Sequence, residues 1–208
     1  MGTTMLRRTL MFAVSLLISS VYSFSVLAES APYRFGGYAG ANINNYTTTP
    51  ALTSTNYTGL LLGVEMDMGI HSVFHLNPQF RFVQKGFSYT QAGFTTEAVA
   101  NYLEFPLLVK AVFPTGSLIS PHIVFGPNLG IKIGDTVTVP NGSIIALRYS
   151  SIDIAIDMGV GAEIEIQNGL SGYLQFRYSL GVYDVADATT NDWKSRGMQI
   201  IAGILFPI

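Results

Sequence analysis

From Ile152 to Gln167 the chain alternates without interruption. Ile152, Ile154, Ile156, Met158, Val160, Ala162, Ile164 and Ile166 hold the even places. Asp153, Ala155, Asp157, Gly159, Gly161, Glu163, Glu165 and Gln167 hold the odd ones. A strand sends successive side chains to opposite faces, so this stretch has one oily face and one small, acidic face. A helix would scatter both sets around its circumference. The run is also far longer than the roughly 5–6 residues of an average globular strand. Seven further segments alternate in the same way, over 33–46, 56–68, 73–87, 98–113, 118–134, 170–183 and 196–208. Eight long strands with no helical period between them predict an all-β chain.

Two architectures share this pattern. In a soluble sandwich or calyx the isoleucine face is the core and the charged face is wet. In a transmembrane barrel the oily face meets lipid and the charges line the interior. Connections after odd segments run to roughly ten residues, and those after even segments to about four, which is the asymmetry of outer-membrane barrels. Charge placement points the same way. Glu65, Asp67, Glu104, Asp153, Asp157, Glu163 and Glu165 share the polar parity with Arg34, Arg81, Lys85, Lys110, Lys132 and Arg177. Eight strands enclose only their own side chains or one small ligand. Charges so confined must pair, because a buried ion without a partner costs several kcal/mol. The prediction is an eight-stranded antiparallel up-and-down transmembrane β-barrel, with these thirteen residues as a lumen charge network.

Composition sharpens this reading. Only 12% of residues are charged while 49% are hydrophobic, and the net charge is −2. A nearly neutral chain with no basic patch excludes nucleic acid as a partner, and the absence of Cys removes disulfides and thiol chemistry. Arg7 and Arg8, an apolar stretch over 9–21 and Val26-Leu27-Ala28 read as a secretory signal peptide spanning 1–28, with 29–208 as the barrel domain. An uncleaved anchor is the alternative. Tyr46, Tyr57, Phe87, Tyr89, Tyr102, Tyr149, Tyr183 and Trp193 fall near the long-loop ends. Phe35, Phe74, Phe113 and Phe206 fall near the short turns, as two interfacial belts would.

The stretch Asn101-Tyr102-Leu103-Glu104-Phe105-Pro106-Leu107-Leu108-Val109-Lys110 resembles the Y-L-E-x-P-L-L-x-K strand of PorT-like outer-membrane β-barrels. Gly126-Pro127-Asn128-Leu129-Gly130 is similar to the strand that follows it there. The resemblance implies an eight-stranded barrel in the outer membrane of a Gram-negative bacterium, and it carries over no catalytic residue. Gly203, Phe206 and Ile208 partly resemble a barrel-assembly signal, with Ile201 and Pro207 departing from it.

Candidate chemistry is sparse. His71, His75 and His122 all lie toward the short turns, away from where an enzyme acting on outer-leaflet lipid would place a histidine beside Ser and a carboxylate. They read as solvated turn-side residues. No catalytic, cofactor or metal site is expected. The expected partners are outer-membrane lipid, the barrel-assembly machinery during biogenesis, and a protein engaged through loops near 47–55, 88–96, 135–146 and 184–195. The leading reading is a closed, non-enzymatic scaffold. Gly126, Gly130, Gly159 and Gly161 keep open a barrel that binds or passes a small apolar ligand, and a lipid-modifying enzyme is third.

Overall fold

The structure is a computed structural model that describes residues 33–49, 55–91, 94–138, 151–182 and 192–208. Eight strands follow one another in chain order: β1 (Tyr33–Thr49), β2 (Thr55–Gly69), β3 (Phe74–Gln91), β4 (Phe94–Val112), β5 (Ile119–Thr138), β6 (Ile152–Gln167), β7 (Leu170–Gly181) and β8 (Asp192–Pro207). Each pairs antiparallel with its neighbours, and β1 closes on β8 from Arg34↔Pro207 to Thr49↔Asp192. Closure leaves no open edge, which is the condition for β-structure to cross hydrocarbon. The leader expected at 1–28 lies outside the described residues, as do positions 50–54, 92–93, 139–146 and 184–191 of the expected loops and the belt residues Tyr149 and Tyr183.

The two faces separate as the alternation requires. Outward residues of β6 include Val160, 58% exposed, beside fully buried Asp157 on the inward parity. Along each wall the oily outward positions form a band: Phe35 to Ile43 on β1, Leu60 to Met68 on β2, Phe74 to Phe82 on β3, Met198 to Phe206 on β8. Each is near the 9–11 residues a tilted strand needs to span a membrane. A continuous exposed apolar surface of this extent marks contact with a nonaqueous medium.

The strands outrun that band at one end. Positions 88–96, read from sequence as a polar loop, are mostly paired backbone: Ser88↔Glu97, Tyr89↔Thr96, Thr90↔Thr95 and Gln91↔Phe94 continue the β3–β4 ladder. The outward alternation ends at Phe82 and Leu103, where Gln84 donates to Asn101 Oδ1 at 3.2 Å across the strands. The ladder survives because Thr and Tyr favour extended backbone whether or not lipid is present. At ~3.3 Å per residue and the usual ~40° tilt, the hairpin stands roughly 20 Å above the apolar band. At the other end the connections are tight. The β6–β7 turn uses Asn168 at φ 50° and Gly169 at φ 81°, the pair of left-handed residues that a two-residue hairpin turn demands.

Candidate functional site in the barrel lumen

Alternation on eight strands aims the polar parity at one axis, where the charges assemble into tiers. In the middle tier Arg81 on β3 is fully buried and spans the lumen. Its Nε donates to Glu104 Oε2 at 2.7 Å and its Nη1 to Gln199 Oε1 at 3.1 Å. Its Nη2 lies 2.8 Å from Asp157 Oδ2. Lys85 bridges Glu104 at 2.5 Å and Asp153 at 2.7 Å. Arg177 stands 3.6 Å from Asp157 and donates to Gln79 and Gln175, each at 3.0 Å. The tier therefore sets three cations against three carboxylates, with Asn128 donating to Glu104 at 2.9 Å. Burial strengthens every one of these attractions and makes a missing partner correspondingly costly.

A second tier lies toward the short turns. Arg34 pairs with Asp67 and, through Nη1, with Glu163 at 2.9 Å. Lys110 contacts Asp67 at 3.1 Å and also pairs with Glu163. His75 Nδ1 is 2.7 Å from the other oxygen of Asp67. Between the tiers Glu65 accepts from Asn77 at 2.9 Å and Gln79 at 3.2 Å, amide donors where the neighbouring carboxylates have cations. Tyr38 OH donates to Gln79 Oε1 at 2.9 Å, the same oxygen that accepts from Arg177 of the middle tier. Lys132 belongs to neither tier. It sits at the long-loop mouth, 3.5 Å from Asp135. Glu165 departs from the expected lumen set: it shares the inward parity but stands exposed at the turn end. There β6 passes the rim, and the pairing with β7 shifts between Glu165 and Gln167.

The lumen is not only ionic. Leu61, Val83, Tyr102, Ile201 and Leu205 are fully buried within it, with Phe87 and Tyr38 nearly so. Phe87 and Tyr102 were expected in an interfacial belt; their parity turns them inward instead. Lys85 Nζ then lies 5.3 Å from the Tyr102 ring centroid, a cation–π contact. Two other tyrosines cover glycines on adjacent strands. A Cβ on Gly63 would lie 2.6 Å from Tyr38 Oη, and one on Gly203 2.5 Å from the Tyr173 ring. The belt at the turn end is on the outside, with Phe35, Phe74, Phe113 and Phe206 each about half exposed.

This is an eight-stranded, closed, antiparallel barrel, oily outside and ion-paired within. The profile of the outer membrane protein beta-barrel domain matches residues 13–206. The chain belongs to that family. It is accordingly an outer-membrane protein of Gram-negative type, and its spans are strands; no described helix is long and apolar enough to cross a membrane. Among solved structures it is similar to OprG of Pseudomonas aeruginosa, at 11% identity and TM-score 0.59, covering 88% of this chain and 99% of that one. Neisserial surface protein A matches at 13% identity and TM-score 0.49, covering 84% and 97%. The outer membrane enzyme PagL matches at 15% identity and TM-score 0.42, covering 84% and 99%. No curated protein sequence is significantly similar to it.

Within this family member two of the three histidines differ from their expected solvation. His71 is exposed and lies 3.2 Å from Ser72 Oγ, but His75 joins the Asp67 cluster. His122 is 2% exposed, edge-on to Tyr173 with ring centroids 6.2 Å apart. Of the four glycines that suggested interior space, three stand against the backbone of an adjacent strand. A Cβ on Gly126 would approach Leu108 Cα at 2.9 Å, one on Gly159 the Phe176 carbonyl at 2.6 Å, and one on Gly161 the Leu174 carbonyl at 2.5 Å. Only Gly130, with ordinary contacts of 3.4 Å and more, has room for a side chain among those four.

Proposed function

We propose that this protein is a closed, non-enzymatic scaffold of the outer membrane, one that recognises partners with the strand ends and loops above the lipid. The observation that carries the reading is the crossing of the lumen by Arg81, Lys85 and Glu104, all essentially unexposed and tied to three different walls. An ion or solute following the axis would have to break several buried pairs at once, each costly to separate. The strand Tyr102-Leu103-Glu104-Phe105-Pro106-Leu107-Leu108-Val109-Lys110 supports placing it with the PorT-like members of the family. The long-loop end supports recognition: the β3–β4 hairpin carries Gln84, Asn101 and Glu97 on its outer side beyond the apolar band. The short turns and both ends of the barrel domain then face the periplasm, where the assembly machinery acts during biogenesis.

The decisive experiment is conductance of the refolded protein in planar lipid bilayers. A silent trace across the usual voltage range is the expected result. Stepwise openings would overturn the closed reading and favour a barrel that passes small molecules. Unchanged outer-membrane lipid profiles in a deletion strain are the matching expectation for a protein without lipid-modifying chemistry.

A further inference from the structure

On the lipid-facing wall where β5 to β8 meet β1, the surface sinks into a hollow of ≈ 580 Å³. Ile43, Met158, Phe176, Tyr178, Met198 and Ile200 line it. Register places Ile43, Met198, Tyr178 and Met158 in one row across four strands, so the hollow lies along neighbouring walls. Two residues further along the same face of β8 from Met198 stands Arg196, and two further Lys194, both on the long-loop side. At ~3.4 Å per residue the first is about 7 Å beyond the hollow's rim and the second about 14 Å.

The apolar outward positions of β8 end at Met198, so these cations sit where hydrocarbon gives way to headgroups. Arg196 Nη1 donates to the carbonyls of Gly181 at 2.8 Å and Ser195 at 3.0 Å, which pins the guanidinium across the β7–β8 seam. A guanidinium carries five N–H donors, so these bonds leave capacity for an anion. Arg34, Arg81, Lys85, Lys110 and Arg177 are committed to the lumen, whereas Arg196 and Lys194 stand on the outward parity.

We propose that this wall binds an anionic, phosphate-bearing acyl lipid of the outer leaflet, its chain in the hollow and its phosphate against Arg196 and Lys194. An apolar hollow within hydrocarbon selects nothing alone, since lipid tails are as apolar as the wall. The cations supply selection through charge-assisted hydrogen bonds and the favourable field of an anionic headgroup. A second copy of the chain fits worse. A two-fold contact across this face presents the same patch from both sides and would set Arg196 and Lys194 against their own counterparts.

The test is native mass spectrometry of the refolded full chain in dodecyl maltoside. The probes are dimyristoyl phosphatidylglycerol and dimyristoyl phosphatidylcholine, which share tails and differ in charge. The wild type should retain the anionic lipid about tenfold better, the effect of one strong charge-assisted bond. The double variant Lys194→Gln, Arg196→Gln should fall to the level of the neutral lipid, and Ile200→Trp, filling the hollow, should weaken both lipids alike. Heat-modifiable gel migration checks folding. Should the double variant misfold, Lys194→Gln alone keeps the Arg196 anchor and should give an intermediate loss. Equal retention of the two lipids, undiminished binding in the folded charge variants, displacement by inorganic phosphate, or a dimer that excludes lipid would each overturn the proposal.

Discussion

Arg81→Met is the sharpest probe of the sealed lumen. The substitution keeps much of the length and apolar body of the side chain and deletes only the guanidinium. In the native protein that group lies 2.5 Å from Glu104 and 2.8 Å from Asp157 with no exposure. A unit pair at 2.8 Å attracts by about 6 kcal/mol at an effective dielectric of ~20. Desolvation of several kcal/mol per ion offsets much of that attraction in the intact pair. Once the cation is removed, the carboxylates keep their desolvation cost and lose their compensation. Lys85 still holds Glu104, but among the described residues the cation remaining to Asp157 is Arg177 at 3.6 Å. The expected loss is therefore that of breaking a buried pair, about 3–5 kcal/mol. Adding Asp157→Asn removes the orphaned charge, and the double variant should recover about 1–3 kcal/mol relative to additivity. Urea unfolding from short-chain phosphatidylcholine vesicles, read by the single tryptophan, Trp193, measures both quantities. A single variant within about 0.5 kcal/mol of wild type, or a double variant that loses the sum of its parts, would refute a paired interior.

Other changes test other layers. Val160→Arg places a charge on the lipid face at a site 58% exposed and should cost about 2–4 kcal/mol near the midplane in the same unfolding assay. Gly63→Val must displace Tyr38 and Arg81, whose Cβ lies 2.8 Å from the site; overpacking of about 1–3 kcal/mol is expected, with weakened heat-resistant migration. Gly169→Ala forces a side chain into the left-handed region at φ 81° and should cost about 1–2 kcal/mol and slow refolding of the β6–β7 hairpin. Glu165→Gln, at an exposed position outside the network, should stay within about 0.5 kcal/mol of wild type.

The walls of the barrel were legible because lipid enforces the alternation. β6 begins and ends at Ile152 and Gln167, the limits of the alternating stretch itself. Where lipid stops, so does the signal: β3, β4 and β5 run on to Gln91, back to Phe94 and on to Thr138 through residues whose polarity resembles that of a loop. The lumen was legible as a parity but not as a composition. Leu61, Val83 and Ile201 occupy inward positions among the charges, where hydrophobicity alone suggests lipid contact. Their placement follows from the neighbouring residues on each strand, Leu60, Phe82 and Ile200, which hold the outward sites. Glu165 shows the converse limit, since parity says nothing about where a strand rises past the rim. Nor does it reveal partners across the axis: Arg34 with Glu163, and Arg81 with Asp157, depend on the diameter and tilt of the closed cylinder.

Those trans-axial contacts bear on how the molecule is made. Arg81 and Glu104 meet on adjacent strands and can neutralise each other in an isolated hairpin. Arg34–Glu163, Arg81–Asp157 and Lys85–Asp153 join strands that touch only after the sheet has curled round. A half-built curtain of strands entering a bilayer would drag uncompensated ions with it, so its insertion is opposed until the final seam between β1 and β8 zips. Curling, entry and charge cancellation are thereby coupled into one concerted event, which gives the cell's insertion apparatus a reason to shelter the nascent sheet until its ends meet.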